Sequence, residues 1–147
     1  MSTIYIDIEQ AIATHQLTVR VSGGGSCEII DTGNLESALE HIKNDDYYPT
    51  FEDKLTHLVF AANKFHAFID GNKRISISLG AQFLQLNAYL FVVPRFIKEM
   101  ENISYHLAAG KIDKDFLKAL LTSIIYESDF SEELKLKLMN AISDDSA

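Results

Sequence analysis

Twenty consecutive residues without a charge, Ile75 to Pro94 (ISISLGAQFLQLNAYLFVVP), constrain this chain more than any other feature. The run is about as long as a helix must be to cross a bilayer. Its polar residues argue against lipid, because Ser76, Ser78, Gln82, Gln85 and Asn87 fall through the middle and a hydrocarbon core offers them no hydrogen-bond partner. The run predicts a central helix that begins near Lys73 and is buried by other protein. Burying such a helix takes apolar chain on every side. The sequence provides it: 147 residues, 47% hydrophobic and 23% charged, lie outside the disordered class and match the length of one domain, 1–147.

The surrounding segments read as helices. Phe51, Leu55, Leu58, Val59, Ala62 and Phe65 recur with the period of a core-facing helix that ends near His66. Leu35, Ala38, Leu39 and Ile42 form a second stripe, and Pro49 interrupts the chain between the two. Glu99 to Leu107 and Asp113 to Ile125 follow, with Gly110 as a C-cap and Asp113 as an N-cap. Ser131 to Ile142 is amphipathic through Leu134, Leu138 and Ile142. Leu17-Val19-Val21 and Cys27-Ile29 alternate about the flexible Ser22-Gly23-Gly24-Gly25-Ser26, which predicts a small β-hairpin flap. The expected class is all-α with that flap.

Thirteen Lys and Arg against 21 Asp and Glu give a net charge of −8. A field of that sign repels nucleic-acid backbones and anionic membranes, so no direct nucleic-acid or membrane partner is expected and an anionic ligand must be held locally. One cysteine, Cys27, excludes an intramolecular disulfide and a Cys-rich zinc site. The start MSTIYIDIEQ has no signal-peptide pattern, and the reading is cytoplasmic. His15, His41, His57 and His106 have no metal-ligand spacing and read as surface or packed imidazoles.

The segment with chemistry is His66-Ala67-Phe68-Ile69-Asp70-Gly71-Asn72-Lys73-Arg74, just before the uncharged run. Free N–H groups and the positive dipole end of a helix start make an anion site, and Gly71 lets the backbone approach a phosphate. Lys73 and Arg74 are unfavourable in a first turn unless an anion sits there, where they add charge-assisted hydrogen bonds. Asp70 suits a Mg²⁺ ion that also binds phosphate, and His66 suits a general base at neutral pH. Phe68 and Ile69 read as apolar anchors of the loop. Each residue alone also fits a plainer role: His66 a C-cap, Asp70-Gly71-Asn72 a turn, Lys73-Arg74 a solvated face.

His-x-Phe-x-Asp-Gly-Asn-Lys-Arg resembles the signature of the Fic/Doc superfamily, in the form found in death-on-curing (Doc) toxins. Asp31-x-Gly33-x-Leu35-Glu36-Ser37-Ala38-Leu39 and Ala108-Ala109-Gly110-Lys111-Ile112 resemble further Doc segments. The resemblance covers about residues 5–126, leaving 131–147 as an extra C-terminal helix and tail. It implies a Fic fold and attack of a target hydroxyl on a nucleotide phosphate. His66 would then be the base and Asp70 the Mg²⁺ ligand, with Gly71, Asn72, Lys73 and Arg74 binding phosphates and Phe68 anchoring the loop. Lys73 stands where AMP-transferring members usually have glycine. Resemblance to Doc implies ATP as substrate, transfer of its γ-phosphoryl group to a threonine of elongation factor Tu, arrest of translation and an antitoxin partner.

Three departures accompany the match: Ala67 replaces a common proline, Ile75-Ser76-Ile77-Ser78 replaces a Thr- and Ala-rich stretch, and 131–147 lies outside it. Ser123 to Ser128 approaches the inhibitory-helix pattern of Fic enzymes but lacks its final Gly or Asn, so self-inhibition is not implied. The readings in order are a Doc-type Ser/Thr kinase toxin, a Fic-type AMP transferase, and a non-enzymatic binding module. The intact His66, Asp70, Asn72 and Arg74 argue against the last.

Overall fold

The structure is a computed structural model that describes residues 2–21, 31–65 and 72–143. In chain order these form α1 (Ile8–Val21), α2 (Gly33–His41), α3 (Phe51–Lys64), α4 (Asn72–Leu86), one 3-10 turn (Leu90–Val92), α5 (Val93–Ala108), α6 (Lys114–Tyr126) and α7 (Glu132–Ser143). There is no strand among the described residues. Helix α4 lies in the middle, against α3, α5 and α1, and α3 also meets α6 and α2. Leu55, Leu58 and Val59 of α3, Ile75, Leu79 and Phe83 of α4, Phe96, Met100 and Ile103 of α5, and Leu117 and Leu120 of α6 are fully buried in one core. Each such side chain contributes about 1.5–3 kcal/mol through burial.

The polar residues of the uncharged run find their partners in protein. Thr14 Oγ1 donates to Gln82 Oε1 and Thr18 Oγ1 to Ser78 Oγ, each at 2.9 Å, which forms a polar seam between α1 and α4. Ser76 Oγ donates to the Lys73 carbonyl. Asn87 accepts from Ile4 N through Oδ1 (2.7 Å), and its Nδ2 donates to the carbonyls of Ile4 and Phe83, both at 2.9 Å, tying the N-terminal segment to the end of α4. No described helix is long and apolar enough to cross a membrane.

The run is not a single helix, however. It stops at Leu86, Tyr89 N–H bonds back to the Leu84 carbonyl at 2.9 Å, and Ala88 between them has φ 69°. That pattern is the helix-ending motif in which a left-handed residue usually is glycine. The chain restarts as α5, whose first turn contains Pro94, where a missing N–H costs no helical bond. The other end of α5 uses Gly110, φ 81°, as its left-handed residue, and Asp113 caps α6 by accepting from Phe116 N–H at 2.7 Å. Those two caps agree with the sequence reading.

The predicted first strand of the hairpin is corrected. Leu17, Val19 and Val21 form the last turn of α1. Their alternation is misleading, because Val19 is buried while Leu17 and Val21 are exposed; the buried set is Ala11, His15 and Val19, at helical spacing. The remainder of the hairpin, residues 22–30 with Cys27-Ile29, lies outside the described residues. Phe65 is a second correction: it caps α3 at 40% exposure, edge-on to Phe60, and does not complete the buried stripe. Helix α7 forms over the predicted segment, capped by Ser131 Oγ, which accepts from Leu134 N–H. Leu134 and Leu138 are half-buried against the core.

Candidate active site

The motif joins the two helices that share the most contact, running from the end of α3 to the start of α4. His66, Phe68, Asp70 and Gly71 lie outside the described residues. Asn72, Lys73 and Arg74 are described, and they are the first three residues of α4. Lys73 is exposed, while Asn72 and Arg74 are half-buried. The first turn holds no acidic residue, and no carboxylate among the described residues pairs with Lys73 or Arg74. The positive dipole end therefore carries two further positive charges, a combination that an anion stabilises and nothing else described there offsets.

The packing behind this turn fixes its direction. Ile75 and Ser76 follow at once and are fully buried, so α4 cannot rotate about its axis without exposing Ile75 and Leu79. Ser76 Oγ holds the Lys73 carbonyl at 2.6 Å. On the α3 side, the Phe65 N–H closes the last turn onto the Ala61 carbonyl at 3.0 Å. Both shoulders of the loop are thus anchored in the core. One buried group was missed in the sequence: Asn63, 1% exposed, donates through Nδ2 to the Ser104 carbonyl of α5 at 3.1 Å. Among the described residues its Oδ1 meets no protein donor. An asparagine among the alanines of a core-facing helix end, three residues before His66, was the available signal.

Among the described residues the clearly displaced titratable groups lie away from the motif. Lys118 and Thr50 hydrogen bonds hold the Asp53 carboxyl low against the opposing effect of its burial. Among the described residues no group of three or more His, Cys, Asp or Glu side chains is placed to hold a metal ion.

Compared with known proteins, residues 5–84 match the Fic/DOC family. The chain belongs to the Fic/DOC family. The matched span runs from the N-terminal segment through nearly all of α4 and includes the whole His66–Arg74 motif. Toxin Doc of Mycolicibacterium smegmatis (strain ATCC 700084 / mc(2)155) is 26% identical over 123 residues, which is 81% of this chain and 92% of that protein. No solved structure gives a significant match. The described helices are consistent with the Fic architecture, and α5, α6 and α7 lie beyond the matched span.

Proposed function

We propose that this chain is a Doc-like toxin that transfers the γ-phosphoryl group of ATP to a Ser or Thr hydroxyl of a translation factor of the elongation factor Tu kind, and so inhibits translation. The observation that carries the reading is the start of α4: Lys73 and Arg74 in a first turn without acidic residues, directly after His66-x-Phe68-x-Asp70-Gly71-Asn72. Family membership and the likeness to Toxin Doc support it. On this reading the helix N–H groups, Asn72, Lys73 and Arg74 hold the phosphate chain. His66 takes the proton of the attacking hydroxyl, the new O–P bond forms, and ADP leaves with the electron pair of the broken bond.

Phosphoryl transfer asks a protein mainly for positioning and charge neutralisation, which is what an anchored cationic helix start supplies. Asp70 is the residue suited to hold Mg²⁺, which would neutralise phosphate charge. Lys73 supports phosphoryl over AMP transfer, since a side chain and point charge there alter which phosphate lies in line with the nucleophile. The partners on this reading are the protein substrate and a cognate antitoxin, and the site of action is the cytoplasm.

Intact-protein mass spectrometry of elongation factor Tu after incubation with this chain, Mg²⁺ and ATP tests the reading, with His66→Ala as control. A gain of one phosphate that vanishes in the control is expected. A gain of one AMP would move the assignment to nucleotidyl transfer, and equal modification by the control would remove His66 from catalysis.

A further inference from the structure

A second chemically unusual cluster sits where α2, α3 and α6 meet. Lys114, the first residue of α6, places Nζ 2.7 Å from Nδ1 of His57 on α3. The same ammonium lies 5.8 Å from the ring centre of Tyr48 and 5.6 Å from that of Phe60. Tyr48 packs on His57 with centroids 4.8 Å apart, and the His41 ring at the end of α2 is 6.4 Å from His57. Beside them opens a cavity of about 380 Å³ lined by His41, Asn44, Tyr47 and Tyr48.

Lys114 contrasts with four of its fellow lysines. Lys43, Lys54, Lys118 and Lys135 each have a carboxylate oxygen at 2.6–3.0 Å. In a chain with 21 acidic residues, Lys114 has an imidazole nitrogen and two aromatic faces instead, and no carboxylate among the described residues pairs with it. Rings attract a cation but supply no counter-charge. Every element packed around the amine adds a neutral or basic group: His41 from α2, Tyr48 from the connecting loop, His57 and Phe60 from α3. Asp115, next along α6, acts only at longer range.

We propose that Lys114 is an acylation site, a nucleophilic amine that takes the acyl group of small acyl phosphates with His57 as its proton acceptor. The amine lone pair forms an N–C bond to the acyl carbon, and the bond from that carbon to the bridging phosphate oxygen breaks. Phosphate leaves with that electron pair, and the nitrogen's proton passes to Nδ1 of His57 and then to water. The product is an uncharged amide in a corner where no carboxylate among the described residues pairs with a cation. Burial holds the Lys114 amine below its ordinary range, and burial, Lys114 and His41 together bring His57 down to about 4. His57 is therefore neutral near pH 7 with Nδ1 ready to accept, and a desolvated lysine is the ordinary form of an activated amine.

Limiting acetyl phosphate on the full chain over a pH series, read by site-resolved mass spectrometry, tests this. Lys98, exposed on α5, is the internal standard. A lowered amine pKa raises the reactive fraction at a given pH, so Lys114 is expected to acetylate faster than Lys98 at pH 7.5, with an earlier midpoint. His57→Gln, checked for helicity by circular dichroism, is expected to bring the Lys114 rate down to that of Lys98. Equal rates for Lys114 and Lys98 across the wild-type series would overturn the proposal whether or not the variant folds. An undiminished Lys114 rate in a folded His57→Gln would overturn the role of His57.

Discussion

His57 illustrates how one residue's surroundings become a property of the whole fold. Burial, the Lys114 ammonium and the nearby His41 lower its pKa from the ordinary 6.5 to about 4. In the unfolded chain it regains the ordinary value and binds a proton more readily than the native state does. The sign is then fixed: between pH 6.5 and 4 the unfolded state holds more protons, so stability falls as the pH is lowered through that window. Because His57 is only partly buried, screening reduces the effect to about 1–2 kcal/mol. Urea unfolding at pH 7 and at pH 4.5 should show wild type losing more stability than His57→Gln by that amount. Equal losses would mean that His57 does not titrate between native and unfolded states in this range.

At the scale of elements, two helix ends use the same left-handed turn with different residues. Gly110 supplies the one after α5 and Ala88 the one after α4. A left-handed alanine is strained by about 1–2 kcal/mol, whereas glycine there costs about 0.5–1 kcal/mol in unfolded-state entropy. Ala88→Gly should therefore stabilise the chain by about 0.5–1 kcal/mol, read as a higher urea midpoint at unchanged slope. A lower midpoint would show that the Ala88 methyl contributes packing the strain argument omits. Gly80 is the reverse case. A Cβ there would stand 2.4 Å from Cζ of Phe96 and 3.1 Å from Val59, and both neighbours are fully buried. Overpacking of about 1–3 kcal/mol exceeds the gain of about 1 kcal/mol in helix propensity, so Gly80→Ala should lower the thermal midpoint; a rise would mean that Phe96 moves aside freely. Helices with one apolar stripe, such as α2, α3 and α6, were legible in the sequence. The break at Asn87-Ala88 was not, since nothing in an apolar run marks an alanine for φ 69°. Nor was α1, which the sequence did not mark as a helix and where a polar seam to α4 decides which of Leu17, Val19 and Val21 turns inward.

For the molecule as a whole, the candidate site was legible because its residues are contiguous, and nine neighbouring positions display their chemistry without any fold. Its supports were not, because Asn63 with Ser104 and Ser76 with the Lys73 carbonyl acquire meaning only when α3, α4 and α5 pack together. The same packing links the site to global stability. A chain of net charge −8 that gathers Lys73 and Arg74 at one helix start, with no carboxylate pairing them among the described residues, holds two like charges together there, and on the proposed reading a bound polyphosphate relieves their repulsion in the folded state alone. A ligand that binds only the native state stabilises it by about 2.7 kcal/mol at a hundred times its dissociation constant. Saturating ATP with Mg²⁺ should therefore raise the urea midpoint of the wild type, while Arg74→Ala, which removes one cation of the proposed phosphate site but little of the core, should shift much less. An equal shift in the two proteins would place the nucleotide away from the start of α4 and separate phosphate binding from the motif.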